Sequence, residues 1–171
     1  LPGVAVEGGA PAELPGCAGA MGDRGRAVAA AGDLGDTWGT GGSGVPTTST
    51  SALGACGLAA AGVPVAKHGN RASSGRCGSM DVLEELGVGI EIGPRAAEKL
   101  LDQVGISFLF APLYHPAMRH VAPVRRALGF PTVFNFLGPL CNPAGARRQL
   151  LGVSDPAMAP RMAVALRELG S

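Results

Sequence analysis

Two stretches of the chain gather the residue types that hold anions. Gly39-Thr40-Gly41-Gly42-Ser43-Gly44 runs on to Thr47, Ser49 and Ser51, and Lys67-His68-Gly69-Asn70-Arg71 follows after an apolar segment. Glycine lets a backbone approach a phosphate closely, and successive N–H groups then form an anion-binding nest. A helix that starts just beyond adds the partial positive charge of its N-terminus. The hydroxyls can donate to phosphate oxygens or sit on a hydrated metal ion. No Lys follows the last glycine, so this is not a Walker loop, and the later acidic partner of a dinucleotide fingerprint is missing. Taken alone, a solvent-exposed glycine loop explains the run equally well.

The second stretch changes that balance. Lys67, His68, Asn70, Arg71 and Arg76 stand at the carboxyl end of a predicted strand, among Ser73, Ser74 and Ser79. Open α/β sheets bind ligands in the crevice outside those strand ends. A solvated basic turn is the bland alternative, but Gly69, Gly75 and Gly78 favour a shaped loop. Further on, His115, Arg119 and Arg125 share one predicted helix. The spacing of His115 and Arg125 is close to three turns, so both can face one cleft, although Pro123 perturbs the geometry. Arg119 and Arg126 read as exposed and His120 as packing. Asn135 and Asn142 read as shaping their turn through local side-chain bonds.

The elements that must position these residues alternate. Short apolar runs over "DTWG", "PVAKH", "VGIEI", "ISFLFAP", "PTVFNF" and "QLLGV" predict strands. Between them, "SALGACGLAAAGV" reads as a Ser-capped helix ended by Gly62, and "SMDVLEELG" as a helix with Ser79 as N-cap and Gly87 past its end. "PRAAEKLLDQVG" carries Pro94 in its first turn, "HPAMRHVAPVRRALG" is helical up to a break at Pro123, and "PAMAPRMAVALRELG" is a helix interrupted by Pro160. Strands alternating with helices predict an α/β fold with a mostly parallel sheet flanked by helices. Before residue 33 the pattern weakens, because Pro15, Gly16, Gly19, Gly22 and Gly25 interrupt a helical tendency. The chain stops directly after a helix that would feed another strand, as a piece of a longer protein would.

Composition narrows the function classes. The chain has 171 residues, 46% of them hydrophobic and only 4% aromatic, with 28 glycines, so its core is built from small and aliphatic residues. A net charge of +1 gives no global steering toward nucleic acid, and any anion site must be local. Cys17, Cys56, Cys77 and Cys141 form no C-x-x-C pair, which favours reduced thiols in a cytoplasmic protein over a disulfide framework or zinc site. The longest apolar run, Ala52 to Val65, is broken by Gly54, Gly57, Gly62 and Pro64 and is too short to span a membrane.

The motifs "DTWGTGGSG", "AKHGNRASSGRCGSMDVLEELGV", "HPAMRHVAPVRRALG" and "TVFNFLGPLCNPAG" resemble anthranilate phosphoribosyltransferase, weakly before Gly32 and closely after it. The glycine run is shared with pyrimidine nucleoside phosphorylases, which have a related fold. The resemblance implies residues 1–32 as the weakly structured remnant of an N-terminal helical domain and 33–171 as an incomplete phosphoribosyltransferase domain. It implies transfer of phosphoribose from phosphoribosyl pyrophosphate (PRPP) to the amine of anthranilate, with Mg²⁺ present, in a cytoplasmic homodimer. By motif, Gly39, Thr40, Gly41, Gly42, Thr47, Ser49, Ser51, Lys67, Ser74 and Ser79 would hold PRPP, with Ser51 near the Mg²⁺. Gly39, His68, Asn70, His115 and Arg125 would meet anthranilate, the Arg125 fork pairing with its carboxylate.

There are departures. Ser43 stands where the family has Asp, Thr48 for Phe, Ser49 for Asn, Ala52 for Thr and Cys77 for Ser. Loss of the Asn amide and the Thr hydroxyl is expected to weaken PRPP binding. The family's later Asp-Glu pair for a second Mg²⁺ falls beyond this chain, which implies little activity of the 171-residue piece alone. A nucleoside phosphorylase is disfavoured by the His115/Arg125 stretch, and a nucleic-acid-binding module by near-neutral charge and few aromatics.

Overall fold

The computed structural model describes residues 13–40, 50–72, 77–128 and 132–171. Its strands β1 (Gly35–Gly39), β2 (Val65–Gly69), β3 (Ile106–Phe110) and β4 (Arg148–Gly152) form a parallel sheet in the order β3-β2-β1-β4. Every residue of β2 is buried, as befits a central parallel strand covered on both faces. Registry aligns Gly39 with Gly152 and Gly69 with Phe110, so the strands end at one common edge. The chain passes from β1 to β2 to β3 in one direction and then returns to the far side of β1 as β4. The order therefore reverses at the β1–β4 boundary, the place where such sheets open a crevice.

Helices pack on this sheet through small apolar faces. In α1 (Glu13–Gly22) and α2 (Thr50–Ala60) the buried residues are Leu14, Ala18, Ala52 and Ala55. In α3 (Ser79–Glu85) Met80 and Leu83 are buried, and in α4 (Pro94–Val104) Ala97 and Leu101 lie one turn apart on the sheet side. Short helices α5 (Ala111–Tyr114), α6 (Ala122–Leu128) and α7 (Phe134–Leu137) follow β3, and α8 (Ala159–Leu169) follows β4. Helix α1 is regular because Pro15 sits in its first turn, where a missing N–H costs nothing. Its Leu14 and Ala18 pack with Leu137, Leu140, Cys141 and the α8 residues Met162 and Ala165. Among the described residues, no helix is long and apolar enough to cross a membrane.

Several elements differ from the sequence expectation, each for a local reason. Val88–Ile92 joins no strand ladder. Ile90 is instead buried against Met80, Leu83 and Phe110, so this apolar run covers the end of β3 rather than widening the sheet. The expected strand over "PTVFNF" is helical at Phe134–Leu137, because the Asn135 side chain accepts from the Thr132 N–H at 3.0 Å and folds the segment back on itself. The His115–Arg125 stretch is not one helix: a 3₁₀ turn at Pro116–His120 separates α5 from α6. Pro123 and Pro160 lie in the first turns of α6 and α8 and so open these helices rather than break them. The N-cap of α3 is Gly78, with Ser79 already helical.

Candidate functional site

Gly39 ends β1 at the β1–β4 crevice, and Thr40 is tied across it. The Thr40 N–H donates to the Gly152 carbonyl at 2.9 Å, and its hydroxyl accepts from the Ser154 N–H at 3.1 Å and lies 3.3 Å from the Ser154 hydroxyl. Gly41, Gly42, Thr47 and Ser49 lie outside the described residues, as does Ser74. Ser51 is in the first turn of α2, and its carbonyl accepts a 2.6 Å hydrogen bond from the Thr37 hydroxyl on β1. The glycine-rich run thus leaves the sheet at its reversal point and re-enters at a helix start fastened to the same strand.

Beside it, β2 carries Lys67 and His68, at 1% and 0% exposure. Both belong to the strand itself and not to the loop beyond it. The Lys67 ammonium donates to the His68 carbonyl at 2.7 Å and stands 5.0 Å from the centroid of the Trp38 ring. Asp36, also buried, accepts from the His68 N–H at 3.2 Å and from the Asn142 amide at 2.7 Å. The peptide groups of His68 are thereby gripped on one side by a carboxylate and on the other by an ammonium. Burial pushes Asp36 up to about 6, against the pull of the Lys67 charge and the Asn142 hydrogen bond. Burial likewise brings Lys67 down to about 8, against the Asp36 charge. At pH 7 the two therefore remain a charged pair.

His68 is held neutral chiefly by burial, with the Lys67 charge beside it acting in the same direction. Its ring lies 4.7 Å from that of Trp38 and 5.1 Å from that of His115, and neither ring nitrogen has a hydrogen-bond partner among the described residues. His115, in the bend between α5 and the 3₁₀ turn, is 4% exposed, and its Nε2 pairs with the Cys141 carbonyl at 3.0 Å. Burial lowers its pKa as well, so the neutral Nε2–H form donates to that carbonyl.

Ser79 joins Lys67 around Gly69. A Cβ on Gly69 would meet the Ser79 hydroxyl at 2.7 Å, the Met80 methyl at 2.9 Å and the Lys67 ammonium at 3.4 Å, so any larger residue there must push these side chains aside. Asn70 is exposed, and its side chain accepts from the Arg71 N–H at 2.8 Å. Arg71 does not join an anion cluster: it pairs with Glu84 at 2.7 Å and Glu91 at 3.0 Å and lies over the Phe110 ring. Arg125 is half-buried and donates to the Asn135 side-chain oxygen at 3.4 Å, with its guanidinium 5.9 Å from the Phe134 ring, rather than standing over His115 along one helix. Lys67, His68, His115 and Ser79 thus form a tight group at the end of β2, while Thr40 is held on the β4 side of β1 and Arg125 lies against Phe134 and Asn135. A cavity of about 250 Å³ borders His115, Cys141, Asn142, Gly25 and Arg26, but neither Gly39 nor Lys67 lines it.

Sequence reasoning passes over four residues of this site. Asp36 and Trp38 are legible only as parts of a strand, though an acid inside an apolar strand is itself a signal of a buried partner. Asn142 does make the local bond expected of it, accepting from the Ala144 N–H at 2.9 Å. Its amide also reaches Asp36 and the Ala66 carbonyl at 2.8 Å, contacts that no spacing rule foresees. Asp81 accepts from the backbone of both Ala72 and Gly78, at 2.8 and 2.6 Å, and so ties together the two ends of the serine-bearing loop.

The donor set speaks to metal as well. Among the described residues, no group of three or more His, Cys, Asp and Glu side chains could hold an ion.

Comparison with known proteins converges. The chain is 52% identical over 171 residues to the anthranilate phosphoribosyltransferase of Desulfitobacterium hafniense strain Y51, covering all of this chain and 51% of that one. It is 62% identical over 113 residues to the enzyme of the same name from Roseiflexus sp. strain RS-1, covering 66% of this chain and 33% of that one. The anthranilate phosphoribosyltransferase structure from Thermus thermophilus superposes with a TM-score of 0.93 at 49% identity, covering 97% of this chain and 51% of that one. The Saccharomyces cerevisiae enzyme in complex with PRPP and Mg superposes with a TM-score of 0.86 at 32% identity, covering 92% and 44%. The chain spans about half the length of the first curated relatives it matches. Residues 31–171 match the model of the glycosyl transferase family, a/b domain, and the chain belongs to that family.

Proposed function

We propose that this chain carries the PRPP side, and part of the anthranilate side, of an anthranilate phosphoribosyltransferase site. The observation that carries this reading is the placement of Gly39–Thr40 at the sheet's reversal point beside the buried Lys67–His68 pair on the next strand. The names of the relatives, and the PRPP and Mg in the yeast structure, support the choice of substrate. In this reading the backbone of Gly39 to Gly42, with Thr40, Thr47, Ser49, Ser51, Ser74 and Ser79, receives the phosphates, and Lys67 supplies a local positive charge. Those donors act where charge develops as pyrophosphate leaves, and preorganised donors at that point lower the barrier most. Mg²⁺ near Ser51 would neutralise part of the pyrophosphate charge.

Neutral His68 and His115 line the inner wall without competing for a proton, which suits a nucleophile that is a neutral amine. Asn70 and Arg125 orient anthranilate, Arg125 through its carboxylate, so that the amine stands in line with the ribose carbon. Four free cysteines, three of them exposed, suit the reducing cytoplasm. Homodimerisation, as the resemblance implies, belongs to the same proposal.

A pair of variants in the full-length protein tests the assignment. Arg125→Ala is expected to raise the KM for anthranilate at least ~10-fold, the worth of one charge-assisted contact, and to leave that for PRPP within about twofold. Lys67→Met is expected to do the reverse. Equal loss of both substrates in either variant overturns the division of roles between Arg125 and Lys67.

A further inference from the structure

Trp38 stands among the proposed phosphate residues without a role. It is the sole tryptophan of the chain and directly precedes Gly39. Its indole lies 5.0 Å from the Lys67 ammonium and 4.7 Å from the His68 ring. Gly138 backs it so closely that a Cβ there would sit 2.7 Å from the indole Cζ2. Trp38 is partly exposed whereas Lys67 and His68 are not, so the indole is the outermost of the three.

The ammonium has three N–H donors. One goes to the His68 carbonyl at 2.7 Å, and the Trp38 π-face stands opposite the ammonium. A phosphate oxygen must come within about 2.8 Å of the nitrogen to accept from it. An oxygen at that distance, in van der Waals contact with the ring beyond, needs about 6 Å between nitrogen and ring centroid. The 5.0 Å observed leaves no such space on the indole side of the ammonium.

We propose that Trp38 is a gate residue: its indole covers one side of the Lys67 ammonium and turns aside when a diphosphate ligand engages that side. The inference rests on the phosphate-binding reading of Lys67. It makes Trp38 a determinant of PRPP affinity that trades a cation–π contact for the phosphate contact.

The test uses the 171-residue chain, with circular dichroism to establish that each variant is folded. Emission of the sole tryptophan is followed during titration with Mg²⁺–pyrophosphate and with Mg²⁺–PRPP, and affinities are measured by calorimetry. The expected results are a saturable change in emission, and binding of Mg²⁺–pyrophosphate by Trp38→Val that is ~10-fold tighter than by the parent, the worth of a desolvated cation–π contact. Trp38→Phe, which keeps a ring, is expected to bind like the parent, and Lys67→Met is expected to cancel the gain in the Val variant. Should Trp38→Val not fold, the parent's emission and the Phe variant decide the matter. Calorimetric binding that depends on Lys67 but leaves the emission unchanged, or equal affinities of parent and Val variant, overturns the gate and leaves the phosphate reading intact. Binding that is absent from both folded proteins, or indifferent to Lys67, overturns the phosphate reading and the gate with it.

Discussion

Asn142 donates from its amide to the Asp36 carboxylate at 2.7 Å, joining positions 106 residues apart. The same amide donates to the Ala66 carbonyl at 2.8 Å, so one side chain in the turn before β4 fastens β1 and β2 where Lys67 and His68 are presented. The preceding residue, Cys141, holds His115 through its carbonyl. A single turn therefore fastens strands β1 and β2 to each other and holds the His115 ring. Asn142→Ala would leave a buried carboxylate and a buried carbonyl short of a donor, at a cost of about 2–4 kcal/mol. Urea denaturation checks this, and a loss below about 1 kcal/mol would mean that water or a neighbour replaces the amide.

Asp36 gives a pH dependence of definite sign. Its folded-state pKa is raised to about 6 from 3.8, so between those values the folded protein binds more protons than the unfolded chain. The contribution of Asp36 to stability is then fully present below about pH 4 and is lost as pH rises through about 6. The change is on the order of 3 kcal/mol across that window. Asp36→Asn removes the titration, so its stability curve is expected to lack this fall relative to the parent. The variant is also less stable overall, because an amide in place of the carboxylate sets a donor against the Asn142 amide. Denaturation midpoints from pH 4 to pH 7 decide it: parallel curves for parent and variant would mean that Asp36 titrates normally.

Asp81 gives a third prediction. One carboxylate oxygen receives the N–H groups of Ala72 and Gly78, which brackets the segment carrying Ser73 and Ser74. Asp81→Ala frees both amides and is expected to cost about 1–2 kcal/mol of stability. It is also expected to weaken Mg²⁺–PRPP binding severalfold, while Asp81→Asn, which keeps an acceptor oxygen, falls between the Ala variant and the parent. Calorimetry on the three proteins checks the order. An Asn variant as weak as the Ala variant would assign the effect to charge rather than to the clasp.

What the sequence makes legible follows the range of the interaction. Strands β1, β2, β3 and β4 come from apolar runs bounded by Gly and Pro, and α4 from Pro94 at its start, so local patterns suffice for the parallel sheet. "VGIEI" carries the same alternation as a strand, yet Ile90 is used to cover Phe110, a tertiary choice that period alone does not encode. "PTVFNF" departs for the opposite reason: a local Asn135–Thr132 bond outweighs β-rich composition. In the site, Lys67, His68 and His115 are marked by their chemistry and motif. Arg71 stands apart from the anion cluster because its acidic partners Glu84 and Glu91 lie on other elements and draw it away. Asp36, Trp38 and the long reach of Asn142 exist only once β1, β2 and the turn at 141–145 are folded together.

Gly69 separates folding from ligand binding. An added methyl at this position meets the Ser79 hydroxyl, the Met80 methyl and the Lys67 ammonium, at 2.7, 2.9 and 3.4 Å. All three are the mobile ends of side chains, not backbone, so the fold can yield by rotating them at a cost of about 1–2 kcal/mol. The same yielding displaces Ser79 and Lys67, the two side chains proposed to meet phosphate. Gly69→Ala is therefore expected to keep a cooperative melt a few degrees below the parent and yet to lose at least ~10-fold in Mg²⁺–PRPP affinity, the worth of one displaced charge-assisted hydrogen bond. Thermal denaturation and calorimetry on one preparation measure both. Unchanged affinity in a protein that melts lower would remove the Lys67–Ser79 arrangement from the phosphate site, since displacing both side chains would then cost the ligand nothing.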